Sequence, residues 1–462
     1  MKKTTELAYK PQSAWERYSS PRERKAMDAL AARYLDFLTC CKTERETVAY
    51  ALRFLRSAGY GDKLDGDLFV RPFKGKALFA ARRGALPLNK GLRLISAHGD
   101  APRLDLKQRP LVEQAQVVQA KTHYYGGIRK YQWLARPLAL HGVLIRQDES
   151  LLEVTLGEDP AEPVFTIADL LPHLAKDHSG QKISEGFVAE KLNIILGHCP
   201  ALKGAKDKDA PKEPVKQHIL ELLSKKYNIC EEDFISAELQ AVPAGPARLV
   251  GLDGGLIGGY GQDDRICVFA ALEALTQGAQ PSHSAALVLW DKEEIGSEGS
   301  TGAQSRFLDY CLEDLAASWQ PGMRLSECLL SSRALSADVA AGLDPDWQDL
   351  HDKQNAALLG YGPCFSKFTG SRGKYGANDA HAEYVGWIRK LLNARKIPWQ
   401  MAECGKVDQG GGGTVALFLA AYGMDVIDMG PPLLSMHSPF ELASKADLYA
   451  TVEAFAAFLA GE

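Results

Sequence analysis

The sequence predicts an α/β fold, a mixed, mostly parallel sheet flanked by helices, interrupted by an inserted β-rich second domain. Three observations carry this reading. Short continuous apolar runs at 77–81, 92–97, 284–290 and 426–429 read as strands buried on both faces. Helical stretches at 265–276, 380–393, 415–422 and 443–459 separate them, the alternation that builds a sheet covered by helices. From about residue 108 to 245 the pattern turns to short alternating segments, such as 152–156 and 164–167, with turns between. The expected division is a discontinuous α/β domain of residues 1–107 and 246–462 around an inserted domain of residues 108–245.

Residues 20–59 read as two helices. Ser20 followed by Pro21 starts the first, because Pro suits the opening turn of a helix. Thr43 with Glu46 three residues later makes a capping box for the second, and Gly59 stops it. The stretch KGAKDKDAPKEPVK, residues 203–216, has almost no large apolar side chain and reads as a solvated loop. Of 462 residues, 46% are hydrophobic and 24% charged, the mixture of a packed globular chain. With 54 Lys and Arg against 58 Asp and Glu, a net charge of -4 offers no general attraction to nucleic acid or an anionic membrane. The N-terminal stretch is polar, and no apolar run reaches the roughly 18 residues of a membrane span. Nine scattered cysteines form no Cys-x-x-Cys pair, so a cytoplasmic chain with reduced thiols is expected.

Five short motifs carry chemistry. Ser96-Ala97-His98-Gly99-Asp100 follows a strand, and ligands in open α/β sheets gather beyond the carboxyl ends of strands. Asp100 offers an acceptor for the second ring nitrogen of His98, which is how a metal-binding imidazole is oriented. Asp291-Lys292-Glu293-Glu294 follows the apolar run SAALVLW. Adjacent carboxylates repel unless a cation lies between them. Their side chains point apart, so one can bind metal while the other faces a reacting water. Gly261-Gln262-Asp263-Asp264-Arg265 opens a helix after a glycine-rich stretch, and capping alone would account for one of its aspartates. Ser336-Ala337-Asp338 and Ser435-Met436-His437-Ser438 complete the set.

Each motif alone is ordinary: an acidic turn, a capped helix, a loop histidine. Together, two His and three Asp or Glu form the nitrogen and oxygen donor set that suits a pair of zinc-like divalent ions. One carboxylate is left over as general base. Residues 405–414 hold four consecutive glycines before an apolar helix. They lack the spacing of a P-loop and suit cradling a carboxylate or oxyanion.

The ordered set SAHGDAPRLDLK, GGYGQDDR, DKEEIGS, SAD, KFTGSRGKYG, DQGGGGT and SMHSPFE closely resembles the aspartyl aminopeptidase family, in its bacterial branch, over nearly the whole chain. The resemblance implies a binuclear zinc exopeptidase fold: residues 1–107 and 246–462 as a metallopeptidase domain, residues 108–245 as a dimerisation and substrate-access domain. It implies His98, Asp263, Glu294, Asp338 and His437 as ligands of two divalent ions, zinc first and cobalt or manganese as alternatives, with Asp263 bridging both. Glu293 would be the base and Asp100 the residue orienting His98. His173 matches a histidine that reaches a neighbouring subunit's site and helps to hold the substrate. Lys367 and Tyr375 match positions near the substrate pocket. Expected partners are peptides cleaved at the N-terminal residue, acidic residues among them, and further copies of the chain in a dodecamer built from dimers. Nucleic acid and membrane are not expected. The better-known members carry a His three residues after the Asp that Asp338 matches. Here that place holds Ala341, which leaves the preference for acidic residues open. Two other readings use the same motifs: a deacylase of N-acyl amino acids with the same metal pair, and a particle that binds peptides without cleaving them.

Overall fold

The computed structural model describes residues 7–201 and 211–461. Both capping boxes near its start are formed. Ser20 and Glu23 close the first, with Pro21 heading the helix Pro21–Cys40, and Thr43 and Glu46 close the second, ahead of Glu44–Ser57. Each box satisfies N–H groups that the first turn of a helix leaves open. Gly59, at φ 93°, follows the second helix in the left-handed region where glycine is favoured.

The chain forms two compact units. The first runs through Ala101 and adds Pro246–Met436 and the chain from Phe440 onward; the second is Pro102–Gly245 with His437–Pro439. An eight-stranded sheet organises the first unit. In spatial order its strands are Leu68–Phe73, Ala77–Arg82, Ser284–Trp290, Leu92–His98, Arg333–Ser336, Asp425–Gly430, Cys364–Ser366 and Gln400–Met401. The central four, from Ser284–Trp290 to Asp425–Gly430, run parallel, while antiparallel pairings flank them, so the sheet is mixed.

The continuous apolar runs follow from burial on both faces. Ala285, Leu287 and Leu289 enter one core with Phe269, Leu272 and Phe455, whereas Ala286, Val288 and Trp290 enter the opposite core with Phe307, Leu312 and Leu419. Successive strand side chains alternate faces, so both faces must be apolar. Helices Gln262–Leu275 and Lys445–Ala460 supply the first core, and Phe307–Trp319 and Ala416–Ala420 the second. A smaller five-stranded sheet holds Leu256–Gly259 and Glu441–Ser444 side by side.

The second unit rests on a six-stranded antiparallel sheet in the order Leu151–Leu156, Leu138–Ile145, Glu238–Pro243, Arg103–Gln114, Val117–Tyr125, Ile194–Gly197. Leu111, Leu144, Val154, Ile229, Phe234 and Leu239 form its core. The strand expected at 164–167 does not form. Phe165 and Thr166 make single bridges to Leu138 and Ile195, and Pro160 and Pro163 ahead of them lack the N–H donors that a ladder needs. Of the solvated loop expected at 203–216, residues 203–210 lie outside the described residues. Its last residues join the helix Pro214–Tyr227, which Pro214 opens. All nine cysteines are free thiols. Among the described residues no helix is long and apolar enough to cross a membrane.

Candidate metal centre

Three neighbouring parallel strands end in register. Trp290 pairs with His98, and Ser336 pairs with Ser96. The ladder runs on into the loops: the Gly99 N–H donates to the Trp290 carbonyl at 2.9 Å and the Ala337 N–H to the Ser96 carbonyl at 2.7 Å. Residues 98–100, 291–294 and 338 therefore leave the sheet together, at the carboxyl edge where open α/β sheets gather ligands.

His98 is 1% exposed, and its two nitrogens have different company. Nδ1 lies 3.4 Å from Asp100 Oδ1 and 3.2 Å from the Asp100 carbonyl. Nε2 lies 3.4 Å from Asp263 Oδ1 and 3.9 Å from Asp338 Oδ1. One donor atom each from His98, Asp263 and Asp338 sits within 4.8 Å of the others, and carboxylate oxygens of Asp263 and Glu294 are also within 4.8 Å. Asp100 has a second task. Its oxygens accept the N–H groups of Glu293 and Glu294, each at 3.2 Å, so one buried carboxylate steadies both the imidazole and the acidic turn Glu293–Ile295.

Burial pulls the His98 imidazolium down, but its hydrogen bonds to Asp100 and Asp263 outweigh that and hold it well above the ordinary histidine range. Burial, reinforced by the charges of Asp263 and Asp264, pushes the Asp338 carboxyl well above the usual carboxylate range. Burial does the same to Asp264. Acids crowded in this way resist ionising together, and a divalent cation among them relieves the repulsion. An imidazole with several carboxylates is a donor set that zinc takes. The residues present fit a metal.

The 261–265 motif opens its helix irregularly. Gly261 holds the cap position at φ 72° without a side-chain bond, and Asp263 (ψ 105°) and Asp264 (ψ 26°) depart from helical geometry. Asp264 Oδ2 instead accepts the His98 N–H at 3.4 Å. That bond accounts for Asp264 Oδ2 without helix capping. Sequence reasoning also passed over Arg265, which is buried and donates to the carbonyls of Gly99, Tyr260 and Lys42 at 3.3, 3.4 and 2.9 Å. Its signal was a cation placed directly ahead of the apolar run 266–272.

His98, Asp100, Asp263, Glu294 and Asp338 thus come together. Lys367 Nζ is 4.0 Å from Asp379, which Lys374 also pairs at 2.9 Å, and Tyr375 is 75% exposed. His173 is exposed in the turn Pro172–Leu174 of the second unit. His437 also packs with that unit, its Nδ1 3.1 Å from the Gly127 carbonyl oxygen.

Residues 37–459 match the model of a family described as aminopeptidase I zinc metalloprotease, M18. The chain belongs to the M18 family of zinc aminopeptidases. A probable M18 family aminopeptidase 1 of Clostridium acetobutylicum is 44% identical over 97% of each chain. The crystal structure of an M18 aminopeptidase from Thermotoga maritima matches with a TM-score of 0.92 and 44% identity, covering 98% of this chain and 99% of that one. A structure of the mApe1 dodecamer of S. cerevisiae shares the fold, with a TM-score of 0.74 at 21% identity over 94% of this chain and 97% of the other. As a member of M18 the chain is a peptidase, a hydrolase of peptide bonds, and the family resemblance of its motifs holds.

Proposed function

We propose that the chain removes N-terminal residues from peptides with two divalent cations, held by His98 and Asp338 on one side, Glu294 and His437 on the other, and Asp263 between. The observation that carries this reading is the double membership of Asp263, whose carboxylate lies within 4.8 Å of donors from His98 and Asp338 and also of Glu294. When bound, such a pair lowers the pKa of a water towards about 7 and polarises the scissile carbonyl. Glu293 takes the proton of the attacking water and hands it to the leaving amine. Its charge bears on both His98 and Asp338, which supports a place beside the reacting groups. Asp100 keeps Nδ1 of His98 occupied, so that Nε2 faces the cation.

His173, Lys367 and Tyr375 are assigned to substrate, with Lys367 facing an acidic side chain in competition with Asp379. Like the mApe1 structure of S. cerevisiae, the chain assembles as a dodecamer, and it works in the cytoplasm on peptides. The test is an assay of aminoacyl substrates and peptides with free or acetylated N-termini, in added Zn²⁺, Co²⁺ or Mn²⁺, alongside elemental analysis and sedimentation. Expected are cleavage of free N-termini only, two metals per chain and a particle far heavier than one chain. Preference for acetylated substrates would move the assignment to a deacylase, and fewer than one metal per chain after loading would remove the two-metal reading.

A further inference from the structure

The short strand Glu441–Ser444 runs antiparallel to Leu256–Gly259, with Glu441 opposite Gly259. The chain beyond Gly259 reaches Asp263 in four residues, and that passage is irregular. Gly261 is left-handed at φ 72°, where a side chain is strained, and a Cβ there would lie 1.9 Å from Nη1 of Arg265, which would have to shift. Asp263 is extended rather than helical. The carboxylate of Glu441 binds the main chain along this passage. Its Oε2 accepts the N–H of Gln262 at 2.5 Å and that of Asp263 at 3.2 Å.

Glu441 is itself held. It is 1% exposed, and its carbonyl accepts Gln262 Nε2 at 2.7 Å. The same amide nitrogen reaches the Ile257 carbonyl at 3.1 Å, and Gln262 Oε1 accepts the Tyr34 hydroxyl at 3.3 Å. Side chain and main chain of Glu441 thus grip the two residues on which the position of the Asp263 carboxylate depends. Buried polar groups gripped in this way tolerate little displacement, and the groups behind a metal ligand set its affinity. Glu441 also stands four residues after His437 in the chain, so one short segment would serve both the ligand set and its support.

We propose that Glu441 is a positioning residue for the shared ligand Asp263: its carboxylate, through the N–H groups of Gln262 and Asp263, sets the affinity of the centre for zinc without touching substrate. This rests on Asp263 being a ligand. The experiment measures zinc affinity of the full chain by competition with a chromogenic chelator, with metal-free Tm alongside, in Glu441→Asp, Glu441→Gln and Glu441→Ala, and in Asp263→Asn as reference. Asp withdraws the acceptor by about one bond length, roughly 1.5 Å. Gln keeps an oxygen that can accept both N–H groups. Expected are zinc affinities weakened about 10- to 100-fold in Glu441→Asp and Glu441→Ala, and within about 3-fold of wild type in Glu441→Gln. If Glu441→Ala fails to fold, the isocharged Glu441→Asp decides. Wild-type affinity in Glu441→Asp with weakened affinity in Asp263→Asn overturns the role of Glu441 and leaves the metal reading standing. Equal losses in Gln and Asp overturn it too, because Gln keeps an oxygen for both N–H groups and the loss would then not follow the paired bonds. Wild-type affinity in Asp263→Asn overturns the assignment of the ligand itself.

Discussion

Glu293 and Glu294 are adjacent and chemically alike, and what separates them is their surroundings. Both N–H groups donate to Asp100, but the carboxylate of Glu294 lies within 4.8 Å of Asp263, while the charge of Glu293 bears on His98 and Asp338. Glu293→Gln keeps the shape of the side chain and removes its charge and its capacity to take a proton. Zinc content is expected to stay at the wild-type level while kcat falls about 10³-fold. Near-normal turnover would reject Glu293 as the base. At this scale the sequence shows donors by type and by their place after strands, which is why His98, Asp263, Glu294 and Asp338 could be read from it. It does not show second partners. Asp264, Arg265 and Glu441 work through contacts with residues 166, 223 and 179 positions away, and separations of that size leave no mark in any local motif.

Elements are legible where local rules decide them. The capping boxes at Ser20 and Thr43 and the doubly buried strand Ser284–Trp290 follow from spacing and periodicity alone. Strand order does not, because pairing Leu92–His98 between Ser284–Trp290 and Arg333–Ser336 is settled by packing across the whole unit. One close approach between strand ends offers a test. At Gly430, the end of strand Asp425–Gly430, a Cβ would lie 2.1 Å from the Asp338 carbonyl oxygen, a backbone atom that can yield only by moving the loop that carries Asp338. Gly430→Ala is expected to destabilise the metal-free protein by about 1–3 kcal/mol and to lower zinc affinity as well. Gly386 provides the contrast, in the helix Ala382–Ala394 with open space where its Cβ would be. There Gly→Ala should stabilise by up to about 1 kcal/mol and leave zinc binding alone. Chemical unfolding of both variants beside wild type checks the pair. Equal effects would show that the approach at Gly430 is soft.

Stability of the whole molecule depends on a group outside the metal motifs. Asp447 is buried in the first turn of the helix Lys445–Ala460, and its oxygens accept the N–H groups of Gly360 and Gly362, each at 2.7 Å. Those bonds favour the charged form, but burial outweighs them and pushes the carboxyl up to about 7. In an unfolded chain the same group titrates near 3.9, or roughly 4. The sign follows from which state holds the proton. The fold keeps it to the higher pH, so this group's contribution to stability is complete below about pH 4. It declines as pH rises through about 7, and is constant above, a change on the order of a few kcal/mol. Asn at this position does not titrate. The difference in unfolding free energy between wild type and Asp447→Asn should therefore fall steadily from about pH 4 to about pH 7 and then level off, whatever constant offset the lost hydrogen bond adds. Metal-free protein should be used, with both chains measured in the same buffers, so that every other titrating group cancels from the difference. A difference that stayed flat across that window would mean that Asp447 is already charged in the folded chain at low pH, with its two N–H donors and the helix start overriding burial.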